Sequence, residues 1–124
     1  DDRIVVLSLH YPPYSSGEHG SNPEVRGVVE PLCRKYGVEL VLAGHDHDYE
    51  RTVPIHGTTY LVAASGGAPI RRVIPNDFTA VFRTEPHYVL FDVEDGNLVG
   101  RAVNLAGELF DTFILRPNPP GGPP

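Results

Sequence analysis

Two histidines one residue apart carry the strongest chemical signal in the sequence. His45 and His47 follow an apolar run and Gly44. In an extended chain successive side chains point to opposite faces, so both imidazoles would face one way and Asp46 and Asp48 the other. Imidazole nitrogens are common ligands of transition metals. The pair by itself is equally compatible with a polar turn after a strand, so the elements that position it must decide.

The segment before this pair has the pattern of a strand, a helix and a second strand. Residues 4–9 and residues 38–42 are short apolar runs, which predict two buried strands. Between them, Asn22 and Pro23 have the residue types of a helix start. An apolar stripe at helical spacing follows and ends at Gly37, a typical helix stop.

Two residues of this predicted helix need separate comment. Pro31 removes one backbone donor and crowds the preceding turn, so we expect a kink or a restart near Glu30. Cys33 lies on the apolar stripe and is predicted to belong to the core. The stripe consists of Val25, Val28, Val29, Leu32, Cys33 and Tyr36.

A third histidine, His10, follows the first predicted strand directly. In a strand–helix–strand unit the two strands are parallel and the crossover is right-handed. Their carboxyl ends therefore lie at one edge of the sheet, where ligands bind. His10 and the His45–His47 pair should meet at that edge from separate segments. This convergence favours a metal site over three unrelated edge histidines.

The rest of the chain predicts antiparallel structure. A hairpin turn at 56–58 separates two strands at 52–55 and 59–64, and Gly66 and Gly67 lie in a loop that either approaches an anion or simply turns. His56 in the turn and His87 at a strand start are interpreted as structural or solvated. Further strands are expected at 77–82, where a short turn is the alternative, and as a meander at 87–93, 98–105 and 109–115.

The composition narrows the class of protein. The 124 residues suit one domain, predicted at 1–116, with a Pro/Gly-rich tail at 117–124. The net charge of −6 argues against binding to a nucleic-acid backbone. No apolar run has the length of a membrane span. The chain contains no methionine and begins with Asp1, so we expect that the natural protein has more chain before residue 1.

The residues 10–17 (HYPPYSSG) and 44–51 (GHDHDYER) resemble the last two metal motifs of calcineurin-like metallophosphoesterases, and in particular of the purple acid phosphatase branch. The similarity extends through residues 65–68 to the final strands, so it covers nearly all of the chain to Leu115. The resemblance implies an α/β fold: a βαβ unit followed by antiparallel strands, as in the C-terminal half of a four-layer α/β sandwich. It also weakly implies export to the periplasm or the exterior.

The resemblance further implies a two-metal centre that hydrolyses phosphate esters. His10 and His45 would bind one ion and His47 the other, the ions being Fe, Zn or Mn. His19, in the loop after the first motif, would contact the substrate phosphate and protonate the leaving group. The Asp, Gly-Asp and Gly-Asn-His motifs that supply the remaining ligands in the family are not found in this sequence. The chain is therefore expected to need an N-terminal half, and to hold metal only in part by itself.

Two other functions remain open from the sequence. The chain could be a folded, non-catalytic metal-binding fragment. It could also be a cupin-type oxygenase or isomerase that uses His45, His47, Glu50 and His87, although the helical stripe argues against this. For the neighbouring charges, we expect Asp46 or Asp48 either to orient an imidazole or to lie on a solvated face. Arg51 is expected to pair with Glu50 or another nearby acid.

Overall fold

The computed structural model describes residues 2–119. In this part of the chain it contains one helix and eight strands. In chain order the elements are β1 (Val6–Ser8), α1 (Pro23–Tyr36), β2 (Leu40–Ala43), β3 (Tyr49–Thr52), β4 (Thr59–Ala63), β5 (Thr79–Arg83), β6 (His87–Glu94), β7 (Asn97–Asn104) and β8 (Leu109–Leu115).

The strands form two sheets. The first has the order β1-β2-β4-β3-β5, in which β1, β2 and β4 are parallel and β3 and β5 are antiparallel to their neighbours. The second is the antiparallel meander β6-β7-β8. The parallel β1–α1–β2 unit and the meander confirm the α/β architecture expected from the sequence. The strand at 79–83 likewise falls where a strand or a turn was expected.

Helix α1 begins and ends at the residues that the sequence indicates. The side chain of Asn22 accepts a hydrogen bond from the backbone N–H of Val25 at 3.0 Å, and Gly37 ends the helix with a left-handed φ of 66°. The predicted restart near Glu30 is wrong, because the helix continues through Pro31 without a break. Proline removes only one donor there, and the buried Cys33 packs the following turn against the sheet.

Two apolar clusters hold the layers together. One lies between helix and sheet and includes Cys33 with Tyr60, as predicted for the cysteine. The other lies between the two sheets, so the described residues stack as helix, first sheet and second sheet. The buried members of this second cluster are Leu40, Tyr49, Leu61, Leu98, Ala102 and Phe113.

Burial differs from the sequence-based expectation at β1 and on the helix. Val6 is 43% exposed because β1 is an edge strand with one neighbour in the described sheet, so the prediction of a fully buried strand is wrong. On α1 only Cys33 is fully buried, whereas Val28, Leu32 and Tyr36 are exposed. The apolar stripe is therefore wider than the surface that this helix buries.

The hairpin turn lies at the predicted residues, but its first strand does not. His56 and Gly57 both have positive φ values, and Ile55 and Thr58 exchange backbone hydrogen bonds of 2.8 and 3.0 Å, which defines a tight two-residue turn. Strand β3 covers 49–52 rather than 52–55, because Pro54 has no N–H to donate to a ladder. The Tyr-Glu-Arg end of the second histidine motif therefore lies in a strand.

The segment 117–119 joins no strand, in agreement with the expectation for this region. It is nevertheless bonded to the body of the protein, since the Asn118 backbone N–H donates to buried Glu39 and its side chain donates to the Gly57 carbonyl. The rest of the expected tail, 120–124, lies outside the described residues. Among residues 2–119 no helix is long and apolar enough to cross a membrane.

Candidate metal centre

The loops after β1 and β2 bring two histidines together. The backbone N–H of Gly44 donates to the His10 carbonyl at 3.0 Å, which continues the β1–β2 pairing past the ends of the strands. As a result the His10 Nε2 and His45 Nδ1 atoms face each other at 3.2 Å. The convergence of segments that the parallel strands predict is present in the structure for this pair.

The loop that carries the motif is bent rather than extended. His45 has a φ of 68°, and short backbone hydrogen bonds join Asp46 to Gly44 and Asp48 to Asp46. The extended-chain reasoning is therefore wrong for residues 45–48. The division of side chains that it predicted still holds, since both aspartates are 0% exposed whereas His45 and His47 are partly exposed.

The spacing of the His10 and His45 nitrogens fits two positions around one metal ion. Two imidazole nitrogens bound tetrahedrally to Zn²⁺ at 2.0–2.1 Å lie about 3.3 Å apart. The observed 3.2 Å matches that separation. A site of this kind needs further ligands, however. Among the described residues no group of three or more His, Cys, Asp or Glu side chains is placed to hold a metal, so the residues present fit only part of a centre.

His47 lies apart from this pair. Its Nδ1 is 2.8 Å from the Pro69 carbonyl oxygen, in the loop that follows β4. The backbone N–H of Arg71 donates in turn to the His47 carbonyl at 3.1 Å. The ring is thus oriented by a backbone group through Nδ1, an arrangement typical of histidines that bind metal through Nε2.

The ring of His19 lies against that of His45. The two ring centroids are 4.2 Å apart with an interplanar angle of 31°. The His19 Nε2 is also in hydrogen-bond contact with Nη1 of Arg71. Arg71 lies in the loop between β4 and β5, and no spacing or motif in the sequence indicated a role for it at the site.

The charges around His45 affect its protonation. Partial burial of the ring lowers its pKa, and the neighbouring imidazoles of His19 and His10 lower it further, with a smaller opposing effect from Asp46. A lowered pKa keeps the imidazole neutral over a wider pH range. The neutral imidazole is the form that binds a metal.

Asp46 and Glu50 hold the loop that carries His19. Asp46 accepts hydrogen bonds from the Ser15 hydroxyl and, at 2.9 Å, from the His19 backbone N–H. Glu50 accepts from the Ser16 backbone N–H and the Thr79 hydroxyl, both at 2.6 Å. The expectation of a solvated face is therefore wrong, and these bonds go to backbone and hydroxyl groups rather than to imidazole nitrogens.

Asp48 is buried between these two carboxylates without a hydrogen-bond partner for either oxygen in the described residues. Burial raises the pKa of Asp48 to about 7, and the negative charges of Asp46 and Glu50 add to the rise. The loop approaches very closely here: a Cβ on Gly17 would lie 2.4 Å from Asp48 Oδ2.

The residues of the cupin alternative do not converge. Glu50 is directed toward Ser16 and Thr79, and His87 is buried with its Nδ1 at 2.9 Å from the Glu85 carbonyl oxygen. The parallel strand pair and helix α1 belong to an α/β fold, not to a β-barrel. The cupin interpretation is wrong. His87 does line a cleft of about 510 Å³ together with His10.

Comparison with known proteins identifies the fold and the family resemblance. Residues 1–49 match the family model of the calcineurin-like phosphoesterases. Tartrate-resistant acid phosphatase type 5 of rabbit (Oryctolagus cuniculus) is 32% identical over 82 residues, which is 62% of this chain and 25% of the relative. This chain thus spans a quarter of that relative's length.

Two solved structures have the same fold. GAP50, described as the anchor in the inner membrane complex of Plasmodium, superposes with a TM-score of 0.85 at 19% identity, covering 95% of this chain and 39% of GAP50. The purple acid phosphatase PPD1 of yellow lupin (Lupinus luteus) gives a TM-score of 0.84 at 23% identity, covering 91% of this chain and 25% of PPD1. The family model and the acid phosphatase relative confirm the resemblance inferred from the histidine motifs, and the two structures confirm the fold.

Proposed function

We propose that this chain, a relative of the calcineurin-like phosphoesterases and purple acid phosphatases, provides the histidine side of a two-metal site that hydrolyses phosphate esters. The observation that carries the proposal is the approach of His10 Nε2 to His45 Nδ1 at the carboxyl ends of two parallel strands. The family match supports the phosphoesterase class.

The histidines have separate roles in this proposal. His10 and His45 hold one ion and His47 the second, and Fe, Zn and Mn all suit imidazole ligands. Bound ions of this kind supply an activated water and neutralise phosphoryl oxygens. The residues of this chain orient the donors: Pro69 fixes the His47 ring, and the backbone bond between Gly44 and His10 fixes the first pair.

His19 acts on the substrate rather than on a metal. Its backbone is held by Asp46, and its ring lies between His45 and Arg71. An imidazole placed beside the ligand pair can contact the phosphate and donate a proton to the leaving oxygen, as positioned histidines do in general acid catalysis.

The centre requires carboxylates from elsewhere. Since residues 2–119 contain no group of three metal-ligating side chains, a further half of the domain supplies the bridging and remaining ligands. The domain of this chain is 1–116 in this proposal, with 117–124 as a tail, and the resemblance to purple acid phosphatases favours export. The substrate is a phosphate ester.

The test is hydrolysis of p-nitrophenyl phosphate by the natural full-length protein with added Zn²⁺, Mn²⁺ or Fe, together with metal analysis. We expect two ions per protein, and His10→Ala or His45→Ala should remove about one ion and lower kcat/KM at least 100-fold. His56→Ala, in an exposed turn, is the matched control and should change neither. Inertness of the full-length protein with unchanged metal content in His10→Ala would refute the proposal.

A second function, a folded metal-binding fragment without catalysis, is favoured by one observation, the incomplete ligand set of the described residues. Metal analysis of the chain alone separates the two. At most one weakly bound ion and no turnover, in the full-length protein as well as in the chain, would support the fragment. Turnover that depends on His47 would support the two-metal enzyme.

A further inference from the structure

Arg71 contacts a histidine side chain of the candidate site, that of His19. It lies on the loop between β4 and β5, and its backbone N–H donates to the His47 carbonyl at 3.1 Å. Its Nη1 reaches His19 Nε2, and His19 in turn lies on the ring of His45. Arg71 is therefore bound through its backbone N–H to His47 and through its guanidinium to His19.

Within residues 2–119 no carboxylate forms an ion pair with Arg71. The arginines seen in ion pairs there include Arg51, Arg83 and Arg101. Its hydrogen-bond partner is an imidazole nitrogen, which carries no negative charge. A partly exposed guanidinium that contacts the His19 imidazole and acts electrostatically on His45, with Asp46 and Glu50 turned toward the loop of residues 15–19, attracts an oxyanion.

From this arrangement we propose that Arg71 is a phosphate-binding residue that makes the site select phosphate monoesters over diesters. The inference rests on the proposed function, because it assigns a specificity-determining residue of that same site. In the absence of a ligand, Arg71 donates to His19 Nε2. An entering phosphate accepts from the guanidinium instead, and His19 Nε2 is then released to face the same phosphoryl group.

The selectivity follows from the geometry of the two anions. A guanidinium donates two parallel hydrogen bonds to two oxygens of one phosphoryl group. A monoester has three terminal oxygens and nearly two negative charges. Two of its oxygens can therefore accept hydrogen bonds from Arg71 while the third remains free to bind the histidines of the site. A diester has only two terminal oxygens and one charge, and its second ester group takes one of these positions.

Arg72 provides a matched control. It carries the same charge one residue further along, is exposed, and forms no hydrogen bond to a histidine in the described residues. Its neighbours are Glu18 and Ile74, at a separate surface hollow. Arg72→Gln therefore removes one positive charge from the same segment but leaves the Arg71–His19 contact in place.

The experiment uses metal-free protein with inorganic phosphate, methyl phosphate and dimethyl phosphate as probes, at constant ionic strength and pH 7.5. Binding is followed by NMR through the ring C–H signals of His19 and His45. We expect methyl phosphate to bind at least tenfold more tightly than dimethyl phosphate. Arg71→Gln should weaken the binding of phosphate and of methyl phosphate at least tenfold, and that of dimethyl phosphate less than threefold. For Arg72→Gln the dissociation constants of all three probes should stay within twofold of the wild-type values.

Arg71→Lys is the second variant, because it keeps the charge but loses the two parallel donors, and it should fall between the wild type and Arg71→Gln. Unchanged signals from strands β6 to β8 establish that the variants are folded. Absence of saturable phosphate binding in the wild type, or equal weakening by Arg71→Gln and Arg72→Gln, would overturn the inference.

The two proposals fail in different ways. If the full-length protein shows metal-dependent turnover but phosphate binding is unchanged in Arg71→Gln, the proposed function is supported and this inference is refuted. If monoester binding depends on Arg71 but the full-length protein shows no turnover, the binding role of Arg71 is supported and the proposed function is refuted.

Discussion

Among single residues, the acidic side chains of the GHDHDYE segment act on the loop of the first motif. Asp46 and Glu50 bind groups of residues 15–19, and Asp48 lies between them. This packing leaves no space for a side chain at Gly17. The alternation of histidine and acid in the motif therefore serves two purposes: the histidines face the site, and the acids fix the loop that brings His19 to it.

The close approach at Gly17 predicts a destabilised loop in Gly17→Ala. The new Cβ would lie 2.4 Å from Asp48 Oδ2 and 2.6 Å from Asp46 Cγ, so the loop must shift. We expect a loss of about 1–3 kcal/mol in the free energy of unfolding. The measurement is urea denaturation together with the NMR ring signals of His19, which should move.

Gly66→Ala is the control for this prediction, because nothing lies within 4 Å of a Cβ at that position. It should leave the unfolding free energy within about 0.5 kcal/mol of the wild type, as surface substitutions usually do. If the two variants were equally stable, the packing argument for Gly17 would be wrong.

The raised pKa of Asp48 predicts a pH dependence of stability in the metal-free protein. Its folded pKa of about 7 exceeds the ordinary value of 3.8, so the native state holds this proton more tightly than the unfolded state does. The resulting stabilisation is fully present below about pH 4 and is lost as pH rises through 7. Asp48→Asn, which is neutral at every pH, should therefore lose less stability between pH 5.5 and 8 than the wild type.

The measurement is chemical denaturation of both proteins at the two pH values. Asp77→Asn, at an exposed position, controls for the loss of one negative charge. A wild-type pH dependence that Asp48→Asn reproduces in full would exclude Asp48 as its source.

For the elements, the contact between β7 and β8 depends on a glycine. Gly100 pairs with Phe113 across the ladder, and a Cβ at Gly100 would lie 2.2 Å from Phe113 Cζ. The aromatic ring thus lies over the glycine and fills the core between the sheets. Glycine usually weakens a strand, but at position 100 it is required because the Phe113 ring occupies the space of a side chain.

Gly100→Ala is expected to lower the unfolding free energy by about 1–3 kcal/mol, because the buried Phe113 ring has to leave its position. Gly27→Ala should act in the opposite direction, since it lies in helix α1 with open space around a Cβ and alanine has the higher helix propensity by about 1 kcal/mol. Thermal unfolding of the two variants tests the pair. A stabilising Gly100→Ala would contradict the structure.

Across the whole molecule, one buried polar group joins the two sheets. Arg51 on β3 donates to both oxygens of Asp111 on β8 at 2.8 and 3.0 Å, and the hydroxyl of Tyr49 donates to the same carboxylate at 2.5 Å. Burial, followed by the Asp111 hydrogen bond, raises the pKa of Tyr49, and the same carboxylate raises the pKa of Arg51. Of the two expected alternatives for Arg51, Glu50 binds Ser16 and Thr79 instead, and another acid, Asp111, is the partner.

Asp111→Ala should therefore destabilise the fold strongly, by about 3–5 kcal/mol, because it leaves the Arg51 charge half-buried without a partner. Asp92→Ala removes an acid from the exposed pair with Arg101 and should cost at most about 1 kcal/mol. Urea denaturation of both variants provides the comparison. If Asp111→Ala and Asp92→Ala lost similar amounts of unfolding free energy, the pair of Arg51 with Asp111 would contribute no more to stability than an exposed ion pair.

Local patterns in the sequence were sufficient for the elements and for the main motif. The cap residues Asn22 and Gly37 predicted the helix, turn chemistry predicted the hairpin at 56–58, and the right-handed crossover rule predicted the meeting of His10 with His45. These features depend on backbone preferences and on topology that every chain obeys. The family resemblance could be recognised separately, because the residue types and order in two short segments, 10–17 and 44–51, are specific to the family's metal motifs.

Tertiary structure alone decided which partners these residues have. Glu39, Glu50 and Asp111 bind groups 29 to 79 residues away along the chain, and no local pattern indicates such partners. The left-handed backbone at His45 and the contact of Arg71 with His19 likewise depend on how loops close over the strand ends. The sequence thus determined the types of ligand and their meeting edge, whereas long-range packing decided their orientation, because charges and hydrogen bonds act over distance in space and not in sequence.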